Sequence, residues 1–219
     1  VIQKSWHMKP VITKELLDNA MSYEQYLSLL SNLLMEEKTT GENQSDDMLN
    51  YARMNDKRMK KWTKIGKLSS EIQERLLNIT SPLTLLVITE GWCGDAAQNL
   101  PFIYKMTQLN PLLEMKLILR DEHPEVIDQF LTNGGRSIPK IISLNPEDLT
   151  VLGDWGPRPT VIQNEFLENR KTQERSAIEF SVYLHLWYAQ DKGITLQNDF
   201  LAKLELWNKK QQSLPVQAD

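Results

Sequence analysis

The sequence predicts an α/β fold in which helices cover both faces of a sheet, with helical extensions at the N- and C-terminal ends. Three observations carry this reading. Leu83-Thr84-Leu85-Leu86-Val87-Ile88-Thr89 follows Pro82 as a run of strand length, apolar on both faces, as strands sandwiched between helices are. From there, segments of strand and helix period alternate in the order β-α-β-α-β-β. Before and after that stretch only helical periodicity is present. The boundaries fall at 1–66 for an N-terminal helical extension, 67–175 for the α/β domain and 176–219 for a C-terminal helical extension.

The elements follow in order. Leu16, Leu17 and Ala20 form a short apolar stripe, and Ser22-Tyr23-Glu24-Gln25 has the form of a capping box that opens a helix carrying Tyr26, Leu27, Leu30 and Leu34 on one face. A loop spans 38–43. A third helix begins at Asp46 and turns Met48, Leu49, Ala52, Met59 and Trp62 inward. Its other positions hold Arg53, Lys57, Arg58, Lys60, Lys61 and Lys64, either as a solvated face or as an anion-friendly rim beside a reactive site. Gly66 ends that helix, and Ser69 or Ser70 caps a shorter one through Leu77. After the first strand a helix runs from about Cys93 to Leu109, with a kink expected at Pro101. Leu113–Leu119 is the second strand. Pro124 to Asn133 reads as a helix stopped by Gly134-Gly135. Ser137 to Leu144 leads into a third strand, and Leu149 to Trp155 returns as a hairpin through Asn145-Pro146-Glu147-Asp148. The chain is helical again from Pro159 to about Asp191. Lys192-Gly193 breaks it, and a last helix buries Phe200, Leu201, Leu204 and Trp207. Trp62, Trp155 and Trp187 also read as packing residues, with Trp6 unassigned.

Composition narrows the chemistry. The chain has 219 residues, 41% hydrophobic and 25% charged, which excludes wholesale disorder. With 25 Lys+Arg against 29 Asp+Glu, the net charge of -4 gives no drive toward nucleic acid or an anionic membrane. No apolar run approaches the roughly 18 residues of a membrane span. One cysteine excludes an internal disulfide and a cysteine zinc cluster. His7, His123 and His185 lie far apart, so neither a metal nor a cofactor is expected. The segment Val1 to His7 contains no apolar signal core, and the expected address is cytoplasmic.

Any thiol chemistry therefore rests on Cys93. It sits where an apolar strand gives way to a helix, facing unpaired amides and the positive end of the helix dipole. Both favour the thiolate, the species that attacks disulfides and peroxides. The bland alternative is a buried, inert cysteine acting as a small hydrophobe. Asp95 opposes itself: its charge suits the dipole and raises the sulfur's pKa. Glu90 is either a proton acceptor or a carboxylate that resists thiolate formation. Arg136 is either a cation facing the cleft or an exposed loop arginine. His123 fits an exposed capping position better than catalysis, and Gly134-Gly135 lacks the Gly-Lys-Ser/Thr sequel of a phosphate cradle.

Trp92-Cys93-Gly94-Asp95 at a strand-to-helix turn, followed by Ser137-Ile138-Pro139 before a hairpin, resembles the thioredoxin-fold superfamily. More narrowly, it resembles bacterial thioredoxin-like proteins whose motif begins Trp-Cys-Gly-Asp. The resemblance is strongest from about Thr80 to Pro159 and implies a three-layer α/β/α sandwich. It also implies a cis Ile138–Pro139 bond, a backbone at Ile138 that hydrogen-bonds an extended substrate beside the sulfur, and Trp92 as a partly exposed platform. The departure is Ala96, which stands where the family has its second cysteine. Val87 likewise stands where many thioredoxins carry a buried acid. Without a resolving sulfur, a mixed disulfide on Cys93 persists until an outside thiol arrives. The expected activity is monothiol disulfide exchange at Cys93, with a protein disulfide or a low-molecular-weight thiol as partner. Trp92, Gly94, Asp95, Ile138 and Pro139 would form the binding surface. The alternatives are a partner-binding module that keeps the cleft, and a redox sensor modified at Cys93. A second copy of the chain could pack through the terminal helices.

Overall fold

The structure, a computed structural model, describes residues 10–214. Trp6 and His7 lie outside them. Helices α1 (Lys14–Asn19), α2 (Tyr23–Met35), α3 (Asp46–Ile65) and α4 (Ser70–Leu76) precede strand β1 (Leu83–Thr89). Then come α5 (Gly94–Leu109), β2 (Leu113–Leu119), α6 (Pro124–Ile127), β3 (Lys140–Leu144) and β4 (Val151–Trp155). Helices α7 (Thr160–Thr172), α8 (Ala177–Asp191) and α9 (Ile194–Ser213) complete the described residues.

The strands form a mixed sheet in the order β2-β1-β3-β4. β1 runs parallel to β2, with Val87 opposite Leu117, and antiparallel to β3, with Val87 opposite Ile141. Every residue of β1 is buried, as its unbroken apolar run requires of a strand covered on both faces. One contiguous core extends from Ile12 to Trp207, so the helices at both ends share it with the sheet. α3 packs along α5, and α9 packs on β4, α4 and α5. The α/β fold with added terminal helices is thus the one the sequence implies.

Local signals set several boundaries as expected. Ser22 and Gln25 form the full capping box, and Ser69 caps α4 through its hydroxyl. Three segments differ. Instead of a helix to Asn133, α6 ends at Ile127, and Asn133 and Gly134, both at positive φ (51° and 77°), form a separate tight turn closed by paired Thr132–Gly135 hydrogen bonds. The helix expected to run to Asp191 is two: Gln173 adopts the left-handed conformation, and Ser176 and Glu179 form a new capping box for α8. On α3, Met48 and Trp62 are only partly covered, while the polar Asn55 and Asp56 are buried. Trp187 is likewise half-buried rather than core.

Candidate functional site

β1 delivers the chain into the turn Glu90-Gly91-Trp92, and Cys93 is the N-cap of α5. The 38–44 loop and α3 hold that turn. The Gly91 amide donates to Thr40 Oγ1 at 2.8 Å, and Asn55 Nδ2 donates to the Gly91 carbonyl at 3.3 Å. Across the site the Ile138–Pro139 bond is cis, as the resemblance implies. The Cys93 thiol donates to the Ile138 carbonyl at 3.3 Å, and the Ala96 amide donates to Sγ at 3.4 Å. Sulfur, helix terminus and Ile138 backbone are therefore in one place.

The helix terminus does not decide the ionisation of that sulfur. Cys93 is only 6% exposed. Burial, followed by the charge of Asp95, pushes its thiol from 9.0 up to about 12, against the pull of the Ala96 and Asp95 amides and of Arg158. The expectation of a thiolate poised at the helix end is corrected accordingly: the resting group is a thiol hydrogen-bonded to a carbonyl.

Asp95 is buried beneath the turn in a network the sequence does not announce. Arg158 Nη2 lies 2.8 Å from Asp95 Oδ2, and the Tyr188 hydroxyl donates to Oδ1 at 2.8 Å. Asn99 Nδ2 donates to that hydroxyl (3.2 Å) and to the Pro157 carbonyl (3.3 Å). Burial nevertheless holds the Asp95 carboxyl above its usual range, with Arg158 and Tyr188 acting the other way. The segment carrying Arg158 is seated against the cis-proline loop. Gly156 (φ 121°) comes so close to Pro139 that a Cβ there would lie 2.1 Å from the Pro139 carbonyl oxygen. Gly156→Ala is therefore expected to destabilise the fold by about 2–3 kcal/mol through overpacking and backbone strain, read as a fall in the urea midpoint.

The other expected residues fall on either side of the sulfur. Trp92 is half-buried, with the Arg120 guanidinium 4.8 Å over its ring. Gly94 faces open space, with nothing within 4 Å of where a Cβ would sit. Ala96 is fully buried at the vacant resolving position. Arg136 is not aimed at the sulfur: it is exposed and pairs with both oxygens of Asp128 at 2.6 Å. Arg158 takes the role of nearby cation instead. The Glu90 carboxyl is fully buried and accepts from the Asp121 amide at 2.9 Å, and burial raises its pKa. It serves the turn, while its carbonyl accepts from the Cys93 amide.

Beside this turn α3 and α8 flank an open cleft of about 320 Å³, lined among others by Tyr51, Arg58, Trp92, Asp95, Leu184 and His185. Among the described residues no group of three or more His, Cys, Asp or Glu could hold a metal ion, and no helix is long and apolar enough to cross a membrane.

Comparison with known proteins agrees with the fold. A crystallised HIV epitope-scaffold is similar in fold, with a TM-score of 0.56 and 22% identity over 87% of this chain and 96% of its own. A protein of unknown function from Pseudomonas aeruginosa gives a TM-score of 0.53 and 19% identity over 88% of this chain and 99% of its own. No curated protein matches. A family model described as thioredoxin matches residues 41–175, which hold the whole sheet, Cys93 and Pro139. The chain belongs to the thioredoxin family.

Proposed function

We propose that this protein is a monothiol disulfide-exchange member of its family, acting through Cys93 and relying on an outside thiol for release. The observation that carries the reading is the 3.3 Å hydrogen bond from the thiol to the Ile138 carbonyl beside a cis proline. An extended substrate whose own amide takes that carbonyl displaces the S–H bond and leaves its disulfide next to Sγ. Cys93 then gives up its proton and attacks one sulfur of R–S–S–R′. The Cys93–S–S–R bond forms, the substrate disulfide breaks, and R′–S⁻ leaves and takes up a proton. With Ala96 in the resolving position, a second thiol must attack the adduct, restoring Cys93–SH and carrying R away as a new disulfide.

Incubation with cystine or a disulfide-bearing peptide should yield a single adduct by mass spectrometry, reversed by dithiothreitol and missing from Cys93→Ser. No adduct at any pH up to 10 would sink the exchange reading.

A second reading is favoured by one specific observation, the burial that keeps the thiol protonated. In it the cleft binds an extended partner without covalent chemistry. Cys93→Ser would then recover partners as the wild type does, whereas exchange predicts the loss of those held through sulfur.

A further inference from the structure

The basic face of α3 does not behave as one surface. Arg53, Lys57, Lys60, Lys61 and Lys64 are exposed, but Arg58 is half-buried in the cleft beside the Trp92–Asp95 turn. Its Nη1 donates to Asn55 Oδ1 at 3.1 Å, and the same amide side chain, itself buried, reaches the Gly91 carbonyl. Asn55 thus fixes the guanidinium relative to the turn. The other guanidinium of the cleft is spoken for, since Arg158 is paired with Asp95. Burial shifts Arg58 downward, and no ion pair among the described residues includes it. The carboxylate of the cleft, Asp95, is taken by Arg158, and a half-buried guanidinium left without an anion of its own is costly unless a ligand supplies one. His185, whose pKa burial and Arg58 lower against the pull of Asp95, adds a hydrogen-bonding group. Tyr51, Trp92, Met48 and Leu184 supply aromatic and aliphatic wall, while Asp95, which also lines the cleft, is engaged by Arg158 and Tyr188.

We propose that this cleft binds a small carboxylate whose oxygens are taken by Arg58 and whose apolar body lies between Tyr51, Trp92 and Leu184. The planar fork of arginine matches a carboxylate, and the volume of about 320 Å³ is at the small end of ligand pockets, suited to a metabolite and not to a folded partner. The inference does not require thiol exchange, because Cys93 is not among the residues that line the cleft.

Titration calorimetry with benzoate, neutral benzamide and inorganic phosphate tests it on the full chain. Benzoate should bind saturably, with benzamide and Arg58→Gln each weakening the interaction by about tenfold to a hundredfold. Tyr51→Ala, at an exposed position that does not threaten the fold, should weaken benzoate several-fold. Lys61→Gln and Cys93→Ser should leave it unchanged. Equal affinity for benzamide, undiminished binding to Tyr51→Ala, or binding of phosphate without benzoate overturns the assignment. Benzoate bound by Cys93→Ser upholds the cleft even where the exchange assay fails.

Discussion

Arg158→Met is expected to cost about 3–5 kcal/mol of folding stability at pH 7, although the lost side chain touches only one carboxylate. Arg158 and Asp95 are 15% and 10% exposed and 2.8 Å apart, so removing the cation strands a charge where water cannot replace it. Tyr188 remains as a hydrogen-bond donor to Asp95 Oδ1, which softens the loss and does not cancel it. The double variant Asp95→Asn/Arg158→Met should recover most of the deficit, because neither partner then carries a charge to be buried. The four proteins form a cycle, read by urea denaturation at fixed pH. The loss should also depend on pH. Burial already holds the Asp95 carboxyl above its unfolded value, and losing Arg158 raises it further. A carboxyl raised on folding favours the native state in acid, and that contribution fades as pH climbs from about 4 upward. Arg158→Met should therefore be closer to wild type at pH 5 than at pH 7. A deficit below about 1 kcal/mol at pH 7 would mean that the pair behaves as a solvated surface bridge.

The same network marks the limit of what the chain discloses on its own. β1, the β3–β4 return and the Ser22 capping box rest on neighbours within a few residues, and such signals survive in a linear text. The tight turn at Asn133-Gly134 was written there too, but Gly134-Gly135 reads equally as a helix stop. The α7–α8 break carried its sign in Ser176 and Glu179. Its other half, a left-handed Gln173, has no marker because glutamine does not advertise positive φ. At the site, the pairing of Cys93 with Ile138–Pro139 came through the resemblance. The Asp95–Arg158–Tyr188 network and the Asn55–Gly91 bond join residues whose separation is set by the fold, and no spacing rule reaches across it. Arg58 stood in the basic row without distinction. Its own half-burial and the buried Asn55 three residues earlier separate it from its neighbours, and a buried asparagine on a helix cannot be told from an exposed one by letter.

The rate of thiol exchange at Cys93 should climb about tenfold per pH unit from 7 to 10 without the plateau that an ordinary thiol, at 9.0, shows near the top of that range. With the thiol pushed up to about 12, the thiolate fraction at pH 7 is on the order of 10⁻⁵, a thousandfold below that of the ordinary group. A more basic thiolate is also a better nucleophile, and this returns roughly a factor of 20–30, so the deficit at neutral pH settles near 30–50-fold before any hindrance from burial. Asp95 is the second contributor to the upward shift. Asp95→Asn should therefore move the profile to lower pH and speed exchange at pH 7, by tenfold for each unit gained. Stability gives an independent reading of the same proton. A thiol whose pKa rises on folding contributes stability that is complete below its unfolded value and lost as pH rises through the folded one. Wild type should consequently lose ground to Cys93→Ser between about pH 9 and 12, a comparison in which the buried tyrosines common to both cancel. Stopped-flow reaction with an uncharged disulfide across this range decides the matter. A profile that levels off below pH 9, or an Asp95→Asn protein no faster at pH 7, would place the sulfur in water and remove the burial on which the slow exchange proposed for it depends.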